Sequence, residues 1–398
     1  MDSVQGFIYP NELELQWSIL IVLYPFITGL VAGAFILASL ERVFNVQAVK
    51  PTYRLALLTA LAFMLVAPLP LQLHLGHPER SFEMYLTPHT TSAMAMFGFV
   101  YLWYLMVVLV VEIWLEYRRE IVIAWQEASG LKRLAYGVVA LGSNNISEAA
   151  LRVDDRIGRL ITIIGVPSAF LLHGYVGFIF GSVKANPWWS TPMMPVVFLF
   201  SAIVSGVALV MLMYLMMTWY RKVPVDMVCL DTIARYLLYA FLIDFSLEVL
   251  DLAHRIYEAD ESFKTLDFMV KTRLLLSHIV LQIIVGTLAP IALLASARIV
   301  QSARLRRFVY VAAGILTLVG IFAMRWNVVI GGQLFSKSFL GYTTYKLEFA
   351  TREGLGVSVL LLILPFVLLA GLVRFLPPWS GTTTLPDDRR GVVGGPAT

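Results

Sequence analysis

The chain has 398 residues, 59% of them hydrophobic and 14% charged, with a net charge of +4 and a mean hydropathy of +0.78. Soluble domains carry about 25% charged residues, so this composition excludes a soluble globular protein and indicates a polytopic membrane protein in contact with a lipid bilayer. The basic residues sit in short loops between apolar runs, which leaves no case for a nucleic-acid partner, and the single Cys229 excludes an internal disulfide and any cluster held by several cysteines of this chain alone.

Nine apolar runs are long enough to cross a bilayer core, at 17–40, 54–75, 91–115, 158–182, 194–219, 233–254, 271–296, 308–330 and 355–376. No cleavable signal peptide is expected, because the first run is long enough to span and stay. With the N-terminus outside, the inner segments hold 20 of the 30 Lys and Arg residues, so positive charge favours an N-out, C-in chain. A tenth span would put the C-terminus outside, but 131–141 is too short and polar-flanked to supply it. The expected fold is all-α, with about nine (alternatively ten) transmembrane helices and a core of two four-helix bundles. The expected divisions are an outer segment at 1–16, a first bundle at 17–182, a second at 183–330, an outer loop with an additional transmembrane helix at 331–376, and a disordered inner tail at 377–398.

In chain order, the first run carries Gly29 and Gly33, a GxxxG pair suited to close helix contact. The second ends at His74, followed by His77, Arg80 and Glu83, and His89 precedes the third. The inner stretch near 116–157 is charged and mixed, and reads as amphipathic helix on the inner surface. The fourth run ends in HGYVGFIFG, where packing explains the glycines but not His173 or Tyr175. The sixth contains AFLIDFSLEVLDLAHR, which puts Asp244, Glu248 and Asp251 on one helical stripe continued by Arg255. A carboxylate at mid-bilayer costs roughly 2.5–3.5 kcal/mol, so this stripe must face protein or water. Two readings stand: buried ion pairs between helices, or a proton path at the edge of a redox-ligand site. The seventh run begins with Lys271, Arg273 and His278, and the eighth ends with Arg325 and Asn327.

In the N-out topology all six histidines fall in the outer half or its loops, and the intramembrane acids fall in the outer half and middle. Three chemistries fit such a cluster. Haem b needs two axial histidines at matched depth, for which His173 and His278 are the available pair. An ion or solute path would be lined by mid-membrane acids. A quinone site needs an aromatic slot, hydrogen-bond partners for two carbonyl oxygens and a titratable group. The residue chemistry puts the quinone first. With no acidic series expected on the inner side, a complete proton channel is not expected.

Three stretches then resemble the NrfD/polysulfide reductase membrane-subunit (PsrC) family: LGHPERSFEMYLTPHTTSAMAMFGF at 75–99, HGYVGFIFGSVKANPWWSTPMMPVVFLFSAIVSG at 173–206, and RWNVVIGGQ at 325–333. The resemblance implies a quinone-reactive membrane anchor, binding menaquinone or another membrane quinone, with no haem, iron–sulfur cluster or metal of its own. It implies an outer-face, ferredoxin-like, multi-cluster iron–sulfur partner and a prokaryotic cytoplasmic membrane. Tyr175 matches the tyrosine of the family's quinone pocket, and Arg80 the arginine of its loop between the second and third helices. The family's polar Asn and His at the start of the first helix have Asn11 as counterpart of the first and no histidine for the second, whose place falls to Glu14, Gln16 or His173. Among branches the wording is most similar to that of DsrP in the DsrMKJOP complex of sulfur metabolism. That branch implies DsrO-, DsrJ-, DsrM- and DsrK-like partners, the last three a multihaem cytochrome and a cytochrome b/cluster pair.

The expected activity is therefore electron transfer within an oxidoreductase complex, between quinone and an outer cluster-bearing partner. Tyr175 and His173 are expected to hydrogen-bond the head group, with Arg80, Glu14 and His77 as further candidates. Asp244, Glu248 and Asp251 are expected to carry protons, supported by the outer polar cluster of His278, Arg325 and Asn327. The alternatives are a proton- or ion-translocating subunit, or a purely structural anchor, without a quinone site of its own.

Overall fold

A computed structural model of the chain describes residues 5–258 and 262–379. It is helical almost throughout; among the described residues the only sheet is a two-residue pairing of Gln5–Gly6 with Gly341–Tyr342. Nine antiparallel helical passes run through the described residues. The first is Ile19–Arg42, the second Gln47–His74, the third Ala95–Glu127, the fourth Glu148–Gly181 and the fifth Met194–Tyr220. The sixth is Met227–Glu258. The seventh is Leu275–Ser296, the eighth Ala303–Gln333 and the ninth Leu355–Phe375. Eight of these are long and apolar enough to cross a membrane. The sixth has the length, at 32 residues, but interrupts its apolar surface with Asp231, Arg235, Asp244, Glu248, Asp251 and Arg255. The expected all-α, multi-pass membrane protein is the protein observed.

The first helix is the axis. It is buried along nearly its whole length and packs on the second, fourth, fifth and eighth helices, most extensively on the fifth. A helix apolar all round belongs inside a bundle rather than at its surface. Glycine makes the seam with the fifth helix possible: a Cβ on Gly33 would lie 2.8 Å from Gly206 Cα. Gly29, one turn earlier, does something other than packing two backbones. A Cβ there would meet the His173 ring at 3.2 Å, so this glycine makes room for a polar side chain.

The stretch near 116–157 differs from expectation. Only Gly130–Val139 is a separate helix, and none of its residues is buried. Residues 116–127 and 148–157 continue the third and fourth helices beyond their apolar parts. Ion pairs hold these extensions: Arg118 with Asp154, and Arg42 with Glu116 at 2.7 Å. Cross-helix charge, rather than a surface-lying apolar face, keeps the polar ends helical. The expected disordered tail lies, beyond Trp379, outside the described residues.

Two helices carry π-type turns, at Tyr104–Val110 in the third and Leu275–Leu288 in the seventh. Such widened turns cost regular hydrogen bonding and are frequent at functional sites. One end of the molecule carries the N-terminus, the His74–Ser92 loop, the 183–193 loop and 331–354. The other end carries Arg42, the 128–147 insert and the loops at 221–226 and 297–302. These are called below the N-terminal face and the Arg42 face.

Candidate functional site

The polar residues of six helices converge beneath the N-terminal face. At the centre is Arg325 of the eighth helix, fully buried. Its Nη2 donates to Ser201 Oγ at 2.7 Å and to His173 Nε2 at 3.0 Å. Its guanidinium carbon stands 4.0 Å from the centre of the Phe198 ring, and His173 stacks on the same ring. A desolvated cation over an aromatic face gains about 2 kcal/mol, part of what offsets burying the charge. Arg325 makes no salt bridge among the described residues; its electrostatic counterparts are Asp244 and Glu248 of the sixth helix. Arg325 Nε and Asp244 Oδ1 are both buried without a hydrogen-bond partner.

This geometry fixes the state of His173. A guanidinium can only donate, so Nε2 must be the bare nitrogen and the hydrogen sits on Nδ1. Nδ1 faces Thr28 Oγ1 of the first helix at 3.3 Å, and Thr28 in turn donates to the Tyr24 carbonyl at 3.0 Å. His173 is thus neutral while Arg325 holds it, and could accept a proton on Nε2 only if the guanidinium turned away, for instance toward the unpartnered oxygen of Asp244.

A second branch runs through Gln282, which the sequence reading missed. Its amide oxygen accepts from Asn327 Nδ2 at 2.8 Å and lies 3.0 Å from His278 Nδ1, and its amide nitrogen donates to Glu248 at 3.2 Å. The π turns of the seventh helix position this hub: Thr287 Oγ1 donates to the Gln282 carbonyl five residues back. The signal was a lone Gln one turn from His278 in an apolar run. Asp251, farther along the sixth helix, is committed to structure. It accepts from Thr191 and from Arg255 Nε at 2.8 Å, while Arg255 also caps the Pro187 carbonyl.

Thus the fold joins His173 to Arg325, and His278, Asn327 and Glu248 to Gln282, with Asp244 and Glu248 as the acids facing Arg325. Tyr175 does not join them. Two residues along a helix are separated by about 200°, so Tyr175 leaves the fourth helix on another side. Its hydroxyl donates to the Ala93 carbonyl at 2.9 Å, and its ring lies against Phe97 at 6.0 Å. Tyr24 meets Phe97 edge-on from the first helix at 5.4 Å, with its own hydroxyl buried and unpartnered. Tyr24, Phe97 and Tyr175 form an aromatic cluster, and Tyr24 lies one helical turn from Thr28. Arg80, His77 and Glu14 lie outside it. Arg80 pairs with Glu83 at 2.9 Å and His77 with Glu79 at 3.0 Å, both in the exposed loop, and Glu14 is exposed in the N-terminal segment.

Among the described residues no three His, Cys, Asp or Glu side chains group as metal ligands. His173 has both ring nitrogens on protein partners, Thr28 and Arg325, and His278 has Nδ1 on Gln282.

The family profile "Polysulphide reductase, NrfD" matches residues 10–337. The chain belongs to the NrfD family. It is 33% identical over 204 residues to a selenate reductase subunit of Mesobacillus selenatarsenatis, covering 50% of this chain and 48% of that protein. It is 27% identical over 219 residues to a putative dimethyl sulfoxide reductase membrane subunit of Halobacterium salinarum, covering 53% and 46%. It is 30% identical over 202 residues to Protein NrfD of Escherichia coli, covering 50% and 59%. The chain spans about half the length of these curated relatives.

Proposed function

We propose that this NrfD-family chain is the quinone-reactive membrane subunit of a reductase complex, exchanging electrons between the membrane quinone pool and an iron–sulfur subunit docked on its N-terminal face. The observation that carries this reading is the aromatic cluster of Tyr24, Phe97 and Tyr175, with an unpartnered hydroxyl at Tyr24, joined through Thr28 to His173. A quinone head group is flat and apolar on its faces, and needs hydrogen-bond donors at its rim. The buried Tyr24 hydroxyl lacks a partner and is a donor in want of an acceptor; the Tyr175 hydroxyl becomes a second donor by leaving the Ala93 carbonyl it now holds. When bound, the quinone supplies two-electron, two-proton redox chemistry. The chain's part is to hold the head group against the Tyr24, Phe97 and Tyr175 cluster and to exclude water from it. It also holds protons at His173 Nε2, Asp244 and Glu248 as Arg325 shifts between them.

The names of the selenate and dimethyl sulfoxide reductase relatives support a reductase membrane subunit, and the family resemblance supports a cluster-bearing partner. The finer reading is a DsrP-like subunit serving sulfur metabolism with menaquinone, alongside DsrO-, DsrJ-, DsrM- and DsrK-like partners. Among the described residues, 18 of the 28 Lys and Arg belong to the segments of the Arg42 side, which supports an N-out, C-in orientation in a prokaryotic cytoplasmic membrane. A second reading, an ion-translocating subunit without its own quinone site, draws on the unpaired charges of Arg325 and Asp244.

The test is binding of a quinol-analogue inhibitor to the purified chain, wild type against Tyr24→Phe, Tyr175→Phe and His173→Ala. Saturable binding that weakens about tenfold, roughly 1.4 kcal/mol, in the tyrosine variants is expected. Binding unchanged in all three moves the pocket elsewhere, and no binding by the wild type favours the second reading.

A further inference from the structure

A second buried carboxylate lies far from this site, and nothing above uses it. Glu112 of the third helix is 1% exposed. Its Oε1 accepts from Thr162 Oγ1 of the fourth helix at 2.6 Å and from the Tyr53 hydroxyl of the second at 2.9 Å. Its Oε2 is buried with no hydrogen-bond partner among the described residues. Glu116 and Glu120 follow at i+4 and i+8, but these are ordinary ion-paired acids: Glu116 binds Arg42 and Arg54, both at 2.7 Å, and Glu120 binds Arg54 at 2.9 Å. Glu112 makes no such ion pair among the described residues. The charged groups facing it are Arg42 from the first helix and Glu116 from its own, with Tyr53 from the second. Thr162, the contact from the fourth, carries no charge.

Beside this site the Arg42 face opens as a cavity of about 780 Å³, lined among others by Arg42, Tyr53, Arg54, Glu116, Glu120 and Asp154. Tyr53 therefore stands in the cavity wall with its hydroxyl donating to Glu112, while its oxygen accepts from the cavity-lining Arg42 Nη1 at 3.2 Å and keeps a second lone pair. On the membrane side, Tyr104 sits two turns back on the third helix, at the start of its π turns, with its hydroxyl also buried and unpartnered. A buried polar atom without a protein partner calls for water. Glu112 Oε2 and the Tyr104 and Tyr117 hydroxyls are three such atoms on one helix, and water reaching the helix interior would satisfy them.

We propose that Glu112 is a proton-exchange site served from the Arg42 face, with Tyr53 as its relay. A hydronium in the cavity gives its proton to the Tyr53 oxygen and leaves as water, while Tyr53 passes its own hydroxyl proton to Glu112 Oε1. Tyr53 ends unchanged, the carboxylate becomes a carboxylic acid, and release runs the same steps in reverse. The two polar clusters then serve opposite faces. This inference stands apart from the quinone reading: it concerns protons at equilibrium and needs no electron donor.

The experiment is infrared difference spectroscopy of the full chain in phospholipid vesicles of known orientation, with a pH step applied to one side and without quinone or partner. Acidification on the Arg42 side should raise a protonated-carboxyl band that shifts in heavy water. The band should vanish in Glu112→Gln, which keeps an acceptor for Tyr53 and Thr162 and so keeps the fold. In Tyr53→Phe the band should appear at least tenfold more slowly. The proposal is overturned if wild type shows no band, or if the band survives in Glu112→Gln. It is equally overturned if the outer step raises the band as fast, or if sodium at constant pH abolishes it, which would make Glu112 a cation ligand. An unchanged rate in Tyr53→Phe removes the relay.

Discussion

The two buried polar clusters of this protein are built on opposite plans. Near the Arg42 face, Arg42, Arg54, Arg118, Glu116, Glu120 and Asp154 form direct ion pairs. Their charges are neutralised where they stand, and they hold the helix extensions to one another. Near the N-terminal face, Arg325 and Asp244 are buried yet make no salt bridge among the described residues, and Asp244 Oδ1 has no hydrogen-bond partner. Unpaired buried charge costs several kcal/mol. A protein that only needed glue would pair these groups or replace them with apolar ones, as it does elsewhere along the first helix. The comparison teaches that ion pairing marks structure here, and that incomplete pairing marks the groups free to change partner or proton. By that criterion Asp251, tied to Arg255 and Thr191, belongs with the structural set, and Glu112 with the functional one.

The largest way to break this comparison is Arg325→Met. It leaves Asp244 and Glu248 buried without a cation and should lower stability by about 3–5 kcal/mol, read as unfolding in mixed micelles. Arg325→Lys should lose less, because the charge remains; equal losses would mean that shape rather than charge decides. Arg42→Ala should cost less than Arg325→Met, about 1.5–3 kcal/mol, since Glu116 keeps Arg54. If it costs more, the paired cluster is the more critical one and the contrast fails.

Asp244→Asn sharpens the comparison in function. It removes a charge that holds no direct partner, so folded yield should hold while the pH profile of quinol turnover in the assembled complex changes. An unchanged profile removes Asp244 from the proton chain. The smallest effect is expected at the exposed Arg80–Glu83 pair. There Arg80 holds the Glu83 carboxyl below the usual carboxylate range through its hydrogen bond. A depressed carboxylate adds stability at neutral pH that is lost only as pH falls through its lowered value. Solvent screens so exposed a pair, and Arg80→Ala should leave the thermal midpoint unmoved at neutral pH. A large drop would show that the loop does more in the free chain than pair with itself.

Composition and periodicity by themselves determined the membrane class, the nine passes and the stripe of Asp244, Glu248 and Asp251, because hydrophobic length and helical spacing are local properties of a chain. The motifs from Leu75 to Gln333 were enough for the family. Tertiary structure alone decided which polar residues meet. Gln282, Thr28 and Ser201 are unremarkable in sequence and become partners only where helices far apart in the chain touch. His173 and Tyr175, neighbours in one motif, diverge because two residues turn a helix by more than half a circle. Glu112 carried a signal like that of Asp244, an acid in an apolar run with further acids behind it, at i+4 and i+8 for Glu112 and at i+4 and i+7 for Asp244. Its charged followers placed it at the edge of the third span in a sequence reading. The packed helices bury it, since the third and fourth passes continue past their apolar ends and carry the protein interior with them.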